Sequence, residues 1–305
     1  MNIKWIPSHN KNNKYIEILL KALDISGDDS FKRGEKNILH IHWYAPKKIF
    51  YYIFLKFYYN AKIVWTLHNN FAHDYKYPRI DKIVRAILLF FTDAVIIQQK
   101  SAAVRHKNVF YIPHVHYVGA YGPRREKVAT PFINLLSLGA IAPYKRNEKL
   151  IEAVKDLPVR LLIIGKGKPE YVDSLGTHPN VEIKNTFVPD HEISKYLSQT
   201  DYSIFYYDDS ELTSGGLVLS LSYNVPVIVR NLPCAEIVTE KVGFVYETDE
   251  ELRHILEHLE KPDERDTIHS VIENSPEYIA TRLKHVYDST FPLPHTTPLT
   301  IEKAG

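Results

Sequence analysis

The sequence predicts an α/β protein of two domains, each built on a parallel sheet with helices on both faces. Predicted strands and helices alternate along the chain, which is the pattern of βαβ units. At 305 residues the chain is long enough for two domains of ordinary size, each with its own core. A segment with three prolines, two glycines and a charge cluster, residues 113–131, is predicted to be the linker between them.

The first half of the chain alternates short apolar runs with longer amphipathic ones. Strands are predicted at residues 3–7, 38–43, 62–67, 94–98 and 109–112, and helices at 15–23, 47–60 and 79–91. Residues 25–36 are polar with two glycines and are predicted to form a loop. Helix 47–60 is apolar nearly all round, which favours a core helix; its aromatic residues and flanking lysines also suit a bilayer interface.

The second half repeats this alternation. Strands are predicted at residues 132–138, 159–164, 181–184, 202–205, 225–229 and 244–246, and helices at 145–155, 170–175, 191–198, 215–223, 250–259 and 276–288. Residues 291–305 contain three prolines and are predicted to be a frayed tail. We therefore expect domains at 1–125 and 126–272, with residues 273–305 as a C-terminal helix, free to return to the first domain, plus tail.

Composition and charge narrow the class of protein. The composition is globular, and a single cysteine, Cys234, excludes an internal disulfide and fits a reducing compartment. The start of the chain lacks a signal-peptide core and no apolar run is long enough to span a membrane, so we expect a cytoplasmic protein.

The formal charge is divided unequally between the two halves. Residues 1–125 hold 20 Lys and Arg against 8 Asp and Glu, an excess of +12, whereas residues 126–305 hold 18 against 28, an excess of −10. A basic half attracts anionic lipid headgroups, anionic acceptors or nucleic acid. Because nothing else in the sequence points to nucleic acid, we expect no nucleic-acid partner and retain an anionic membrane surface.

Residues 211–229, ELTSGGLVLSLSYNVPVIV, combine a helix start with a glycine pair. Thr213 or Ser214 can cap the helix, and Gly215 and Gly216 leave the first-turn amides open to a ligand as far as Leu217. Amides at a helix N-terminus, together with the helix dipole, form an anion site suited to phosphate. The alternative is an ordinary capped helix in an α/β sheet.

Three motifs in order carry a family resemblance: SLGAIAPYKRNEKLIEAV, then LLIIGKG, then SELTSGGLVLSLSYNVPVIV. They resemble the nucleotide-sugar half of GT-B glycosyltransferases of the retaining family-4 type. Upstream, ILHIHWY and KIVWTLHNNFAHD resemble the acceptor half of a bacterial branch that builds surface polysaccharides. The resemblance covers residues 38–244 and implies two Rossmann-like domains facing each other across a cleft.

The resemblance implies roles for residues of the second domain. Lys145, after Gly139, matches the family lysine that holds the donor phosphates, and Glu211 matches the first of two family glutamates, which accepts hydrogen bonds from the donor sugar. The family arginine is absent, since Ala142 and Pro143 occupy its place, and the second glutamate is replaced by Leu219. Two cations are candidates to substitute for that arginine, Arg146 and Lys166. The alternatives are that Lys145 is a solvated lysine in the first turn of a helix and that Glu211 is a surface acid in a polar run.

The same resemblance implies where the base and the transferring sugar lie. Base recognition comes from backbone at residues 186–189, where Phe187 or Val188 can pack on a ring; uracil and guanine are not distinguished. His68 matches the family histidine near the transferring sugar. The family transfers by a front-face route in which the departing phosphate takes the acceptor proton, so His68 orients and no protein nucleophile is required.

The strand assignments independently indicate histidines as candidate site residues, because parallel sheets bind ligands beyond the carboxyl ends of their strands. His9, His42 and His68 all fall at or just past such ends. His40 and His42, with His73 nearby, could form a zinc set, but an isolated His-x-His is more often structural, and we expect no metal. Asp208 and Asp209 lack the spacing of a GT-A metal site.

These observations predict a glycosyltransferase that moves a sugar from a nucleoside diphosphate donor, of UDP or GDP type, to a saccharide or lipid-linked acceptor in surface-glycan assembly. We expect no cofactor besides this donor substrate, and a cytoplasmic location that is peripheral on the inner face of the plasma membrane. The alternatives are a GT-B module that binds a nucleotide or saccharide without turnover, motivated by the missing arginine and glutamate, and a histidine-metal hydrolase.

Overall fold

A computed structural model describes residues 1–7, 13–68, 78–126, 130–208, 212–262 and 266–291 of the chain. The strands are β1 (Asn2–Ile6), β2 (Asn37–Ile41), β3 (Lys62–Leu67), β4 (Ala94–Ile97), β5 (Val109–Tyr111), β6 (Ile133–Leu138), β7 (Val159–Gly165), β8 (Val181–Asn185), β9 (Tyr202–Phe205), β10 (Val227–Arg230) and β11 (Gly243–Tyr246). The helices are α1 (Lys14–Leu23), α2 (Ile49–Tyr58), α3 (Pro78–Phe91), α4 (Asn147–Val154), α5 (Pro169–Ser174), α6 (Asp190–Ser198), α7 (Gly215–Ser222), α8 (Asp249–Glu257) and α9 (Pro276–Ser289). Short 3₁₀ turns lie at Pro46–Lys48, Pro143–Lys145, Pro233–Ile237 and Ile268–Ser270.

The predicted fold class is confirmed: every predicted strand and helix has a counterpart, and both sheets are parallel throughout. The chain divides into two compact units. The first unit contains Met1–Val115 and α9, and the second contains His116–Glu273. None of the helices in the described residues is long and apolar enough to cross a membrane.

The sheet of the first unit has the order β1-β2-β3-β4-β5, so its strands are neighbours in the same sequence as in the chain. The outer edge of β1 is covered by the loop that follows α1, since Trp5 N donates to Gly27 O and Asp29 N donates to Ile3 O. That cover occupies backbone groups that an exposed edge strand would offer to another chain.

Helices lie on both faces of this first sheet. Trp65 and Thr66 are successive residues of β3 and therefore point to opposite faces. Trp65 lies under the Arg85 guanidinium of α3, whereas Thr66 contacts His40, which in turn contacts Tyr287 of α9. The prediction of a sheet covered on both faces is therefore confirmed for this unit.

Helix α2 differs from the core helix that the sequence favoured. It buries Ile49, Tyr52 and Leu55, but Phe50 is 81% exposed and Phe57 is 68% exposed. The favoured interpretation as a core helix is therefore wrong for part of its surface, because the helix packs along one side only.

The sheet of the second unit has the order β11-β10-β9-β6-β7-β8. Its first strand, β6, is central: the chain builds outward through β7 and β8, then returns to the other side of β6 with β9. The position between β6 and β9 is thus a topological switch point, where the loops leaving two neighbouring strands diverge and leave room for a ligand. Buried residues of β6, β7, α4 and α8 form the core beneath it, among them Leu135, Ile163, Leu150 and Leu252.

Candidate functional site

The loop that leaves β6 brings a lysine back to the end of its own strand. Gly139 follows the strand with a φ of +111°, a conformation that favours glycine, and the turn Pro143–Lys145 comes after it. The Lys145 side chain is buried, and its Nζ donates to Leu138 O at 2.7 Å. A Cβ added at Gly139 would lie 3.2 Å from that Nζ. The ammonium group is therefore fixed at the carboxyl end of β6.

The neighbouring β7 loop is hydrogen-bonded to this one through backbone groups. Gly139 N donates to Ile164 O at 3.0 Å, and Ile141 N donates to Lys166 O at 3.1 Å. A Cβ on Gly165 would lie 1.7 Å from Gly139 O, so only glycine allows the two chains this close. Lys166 itself is exposed at the tip of this turn.

Arg146 ends the β6 loop and opens α4. Its backbone is left-handed, with a φ of 47°, and its Nε donates to Glu148 Oε1 at 2.7 Å. That hydrogen bond is the main reason that the pKa of the guanidinium is raised, with the charge of Asp208 acting in the same direction. The side chain is 43% exposed, so it is a partly solvated cation on the same loop as Lys145.

The loop that leaves β9 leads to the N-terminus of α7. Ser214 caps this helix, its Oγ accepting from Leu217 N at 3.1 Å and lying 2.7 Å from the Tyr207 hydroxyl. The Gly215 and Gly216 amides precede the first intrahelical bond and have no acceptor within the described part of the chain. They are the two donors that this helix offers to a ligand.

Two further features shape the same helix start. The Thr213 Oγ1 is buried and has no hydrogen-bond partner among the described residues. A buried hydroxyl without a partner costs free energy, which a polar ligand would recover. A Cβ at Gly216 would lie 3.2 Å from the Phe205 ring, so glycine lets the helix start sit tightly on the end of β9.

The loops on either side of the switch point are joined. Asp208 N donates to Tyr144 O at 2.8 Å, and the Tyr144 and Tyr207 rings are stacked with centroids 6.3 Å apart. Tyr144 precedes Lys145, and Tyr207 contacts Ser214. One connected structure therefore holds both the lysine and the amides of the α7 N-terminus.

A second set of charged groups follows strands of the same sheet, and the sequence had not singled it out. Arg230 ends β10 and donates through Nη1 to Tyr207 O at 3.2 Å. Asp249 accepts from the Tyr206 hydroxyl and from Lys149 Nζ, each at 2.6 Å, which are the main causes of its lowered pKa. The signal for Arg230 was present in VIVR, where a charge ends an otherwise apolar strand.

The remaining predicted residues of this unit that the structure describes take no part in those contacts. Leu219 is 7% exposed within α7 and offers no polar group. Val188 follows β8 and is buried, whereas its neighbour Phe187 is 56% exposed. Glu211, together with Asp209, lies outside the described residues, as do His9 and His73.

In the first unit, the predicted histidines that the structure describes, His40, His42 and His68, form a buried cluster at the carboxyl ends of β2 and β3. His68 directly follows β3 and is 5% exposed; its Nε2 lies 3.4 Å from His42 Nδ1, and the Trp43 ring stacks on it at 4.5 Å. His40 has both ring nitrogens engaged, with the Tyr287 hydroxyl at 2.7 Å and Thr66 Oγ1 at 2.8 Å.

Burial keeps these imidazoles neutral. It lowers the pKa of His40 and of His68 to about 3 and that of His114 to about 4. The pKa of His42 lies well below its ordinary value, because of burial first and then the neighbouring His40 and His68. A neutral imidazole can donate and accept one hydrogen bond each, so this cluster can orient a hydroxyl but adds no charge.

The sequence had not indicated two members of this cluster. Tyr15 of α1 makes ring contacts with His42, His68 and His114, and Gln98 Nε2 donates to the Tyr15 hydroxyl at 3.2 Å. His114 lies just past β5, a position that the strand-end argument would have found. Across the described segments, no three His, Cys, Asp or Glu side chains are arranged to hold a metal ion.

Comparison with known proteins yields structural similarity only. No family model and no curated protein sequence matches the chain. The structure is similar to that of HepE from Anabaena in complex with UDP-glucose, at a TM-score of 0.65 and 13% identity over 90% of this chain and 82% of that one. Sucrose-phosphate synthase from Thermosynechococcus elongatus gives 0.65 and 13% identity over 83% and 73%.

TarM is a further structural neighbour, with a TM-score of 0.60 and 15% identity over 82% of this chain. The match spans 54% of the TarM chain, so this protein covers about half the length of that relative. The similarity to these glycosyltransferases, with two parallel sheets and alternating helices, shows that the chain has their two-unit, Rossmann-like GT-B fold.

Proposed function

We propose that this protein is a nucleotide-sugar-dependent glycosyltransferase whose donor diphosphate binds at the switch point of the second unit. The observation that carries the proposal is the joining of Lys145 and the open Gly215 and Gly216 amides by the Tyr144–Asp208 contact. A diphosphate needs a cation and several donors that stabilise the extra charge as the glycosidic bond breaks. HepE, which shares the fold, binds UDP-glucose, and this supports a nucleotide-sugar donor.

The further roles follow the sequence motifs. Lys145 is the phosphate cation, with Arg146 or Lys166 as the second, and Val188 lies beside the base. Glu211 accepts from the donor sugar, and His68 orients the transferring sugar as a neutral imidazole. Transfer proceeds with retention by the front-face route, in which the leaving phosphate takes the acceptor proton, and it requires no metal.

The acceptor is a saccharide or a lipid-linked saccharide of surface-glycan assembly, and the protein works in the cytoplasm, at the inner face of the plasma membrane. The excess of +12 charges in residues 1–125 supports an anionic acceptor or membrane. The second candidate, a binding module without turnover, is favoured by Leu219, which places a buried apolar side chain where the family has a carboxylate.

Thermal unfolding with a panel of UDP and GDP sugars tests the donor, because a ligand bound only by the folded protein raises its Tm. We expect one nucleoside diphosphate series to stabilise the protein, and donor hydrolysis to continue in excess EDTA. Stabilisation without hydrolysis or transfer would favour the binding module. If no sugar nucleotide changes the Tm, the proposed function is wrong.

A further inference from the structure

Helix α2 carries an exposed aromatic stripe. Phe50, Phe54 and Phe57 are 81%, 50% and 68% exposed, and their spacing of four and three residues places them on one helical face. The opposite side buries Ile49, Tyr52 and Leu55 against the rest of the unit. The helix thus turns large phenyl rings toward solvent while its packing face is already filled.

Helix α3 repeats the arrangement. Ile80, Ile83, Ile87 and Phe90 follow one another at spacings of three, four and three residues, and all are exposed, Phe90 by 82%. On this helix, Leu88 is buried and so is Asp81, which accepts from the Tyr44 hydroxyl. An apolar stripe on one face of a helix ordinarily packs on a core, and here it faces outward.

The two stripes are continuous. Helices α2 and α3 pack on each other, and the Phe57 and Phe91 rings meet edge to face at 5.8 Å; Phe91 in turn contacts Phe90 at 5.1 Å. We call this surface the α2–α3 face. It comprises Phe50, Phe54, Phe57, Ile80, Ile83, Ile87 and Phe90. Monomeric soluble proteins rarely expose apolar patches of this kind unless the patch binds something.

The charges around the α2–α3 face are almost all positive. Residues 46–58 and 78–91 contain six Lys and Arg and a single acid, Asp81, which is buried. Lys47 and Lys48 are exposed just before α2, and Arg79 and Lys82 are exposed on α3. Two of the six are already engaged within the unit: Lys56 Nζ donates to Asp93 Oδ2 at 2.6 Å, and the Arg85 guanidinium lies over the Trp65 ring.

We propose that the α2–α3 face docks on an anionic lipid bilayer, with its phenyl rings and isoleucines inserted at the headgroup boundary and its lysines and arginine on the phosphates. Helices that lie in the interface plane have this composition, with Phe and Leu-type residues on one face and Lys and Arg beside them. The inference deepens the proposed function and rests on it, since it states how an enzyme with a lipid-linked acceptor reaches that acceptor.

A second copy of the chain fits this surface less well. A two-fold contact would place the face against itself and so bring the positive rim of one copy, which is formed by Lys47, Lys48, Arg79 and Lys82, close to the same rim of the other. Like charges brought together at an interface cost several kcal/mol. An anionic bilayer instead takes up the apolar side chains and neutralises the positive rim.

Vesicle co-sedimentation tests the proposal, with phosphatidylcholine vesicles and with vesicles that also contain phosphatidylglycerol. The two variants are Lys47→Glu/Lys82→Glu and Phe50→Ser/Phe90→Ser; all four positions are exposed, so the fold is expected to survive, and an unchanged Tm checks it. Matched controls on the second unit are Lys168→Glu/Lys241→Glu and Ile272→Ser, which alter exposed residues in the same way.

We expect binding to the anionic vesicles only, a fall of about tenfold or more in the lysine variant, and no change in the controls. Raising the salt from about 0.05 M to about 1 M should release most wild-type protein but leave a bound remainder, which the phenylalanine variant lacks. Equal binding by variants and controls would overturn the proposal.

Sedimentation of the protein without vesicles tests the other possible occupant of the α2–α3 face, a second copy of the chain. A wild-type dimer that Phe50→Ser/Phe90→Ser converts to monomer, without vesicle binding, would assign the face to a second copy and overturn the bilayer. No nucleotide is present in these experiments. If the protein does not bind vesicles but is stabilised by a sugar nucleotide, the bilayer proposal is wrong and the proposed function is retained.

Discussion

The two sheets end in opposite chemistry, although both are parallel and both gather their candidate residues at the carboxyl ends of their strands. The first sheet ends in neutral imidazoles packed among aromatic rings, each lowered in pKa by burial. The second ends in fixed positive groups: Lys145, the partly exposed Arg146, and the α7 N-terminus. One architecture thus provides either orientation without charge or binding of charge, according to the residues at the start of each loop.

The largest effect is expected when the positive charge of Lys145 is removed from the end of the second sheet. Lys145→Met keeps the approximate length of the side chain but removes the ammonium group and its hydrogen bond to Leu138 O. We expect nucleoside diphosphate affinity to fall about 10- to 100-fold and kcat/KM for transfer to fall about 10³-fold or more, because in the proposed site the lost charge would stabilise both the bound donor and the transition state.

Calorimetry with UDP and GDP gives the affinities, and product formation gives kcat/KM. Lys168→Met, on an exposed lysine of the same unit, is the matched control. Unchanged affinity in folded Lys145→Met would move the phosphate site away from the switch point.

The variant His68→Ala should show that the ends of the two sheets have different roles, because it should lower transfer and leave nucleotide affinity unchanged. We expect transfer to fall by about one to three orders of magnitude, the range for a lost transition-state contact. Nucleotide affinity should stay within about twofold, because the proposed diphosphate site lies in the other unit. His40→Gln serves for comparison, since both nitrogens of His40 are engaged by side chains of its own unit. If His68→Ala lowers affinity as strongly as transfer, the histidine supports the fold instead.

A smaller effect is expected on the stability of the first unit at acidic pH. The buried histidines have folded-state pKa values below the unfolded value of 6.5, so their contribution to stability is complete above pH 6.5 and is lost as the pH falls toward the folded value near 3. Within that pH range, each such histidine lowers the free energy of unfolding by about 1.4 kcal/mol for every pH unit of acidification.

All three tryptophans, Trp5, Trp43 and Trp65, lie in the first unit, so denaturant titrations followed by their fluorescence report that unit. We expect its midpoint to fall between pH 6.5 and 5 and to fall less in His40→Gln. A midpoint that is flat over this range would show that the histidines are accessible to protons in the folded protein.

Strand-by-strand pattern was enough to place most of the fold and much of the candidate site. Alternating elements predicted both sheets, and the strand-end rule found His42 and His68 because carboxyl ends of parallel strands share one edge. Tyr15 was missed because it reaches the same cluster from α1, which only the packed structure reveals. The Lys145 side chain folds back to Leu138 through the turn before α4, a local geometry that spacing does not specify.

Helix α2 shows where sequence periodicity carries no information. A helix that is apolar on every side gives no contrast between faces, so the sequence could not tell which residues are buried. Its neighbours in the fold determine which residues are buried: the buried Tyr52 hydroxyl accepts from Ala45 N, whereas Phe50 is left largely uncovered by the described part of the chain.

Arg230 was missed for another reason, since a single charge at a strand end is common.

The first unit is assembled from segments that lie on either side of the second unit in the chain, and this has a consequence for synthesis on the ribosome. Helix α9 packs on α1, holds His40 through Tyr287 and reaches Tyr111 O through Arg282. The second unit is contiguous and can fold as soon as it emerges, whereas the first must wait for α9, which follows the second unit in the chain. During translation the earlier-made strands therefore remain without their final cover, and a chain that stops before α9 would release a finished second unit attached to an unfinished partner.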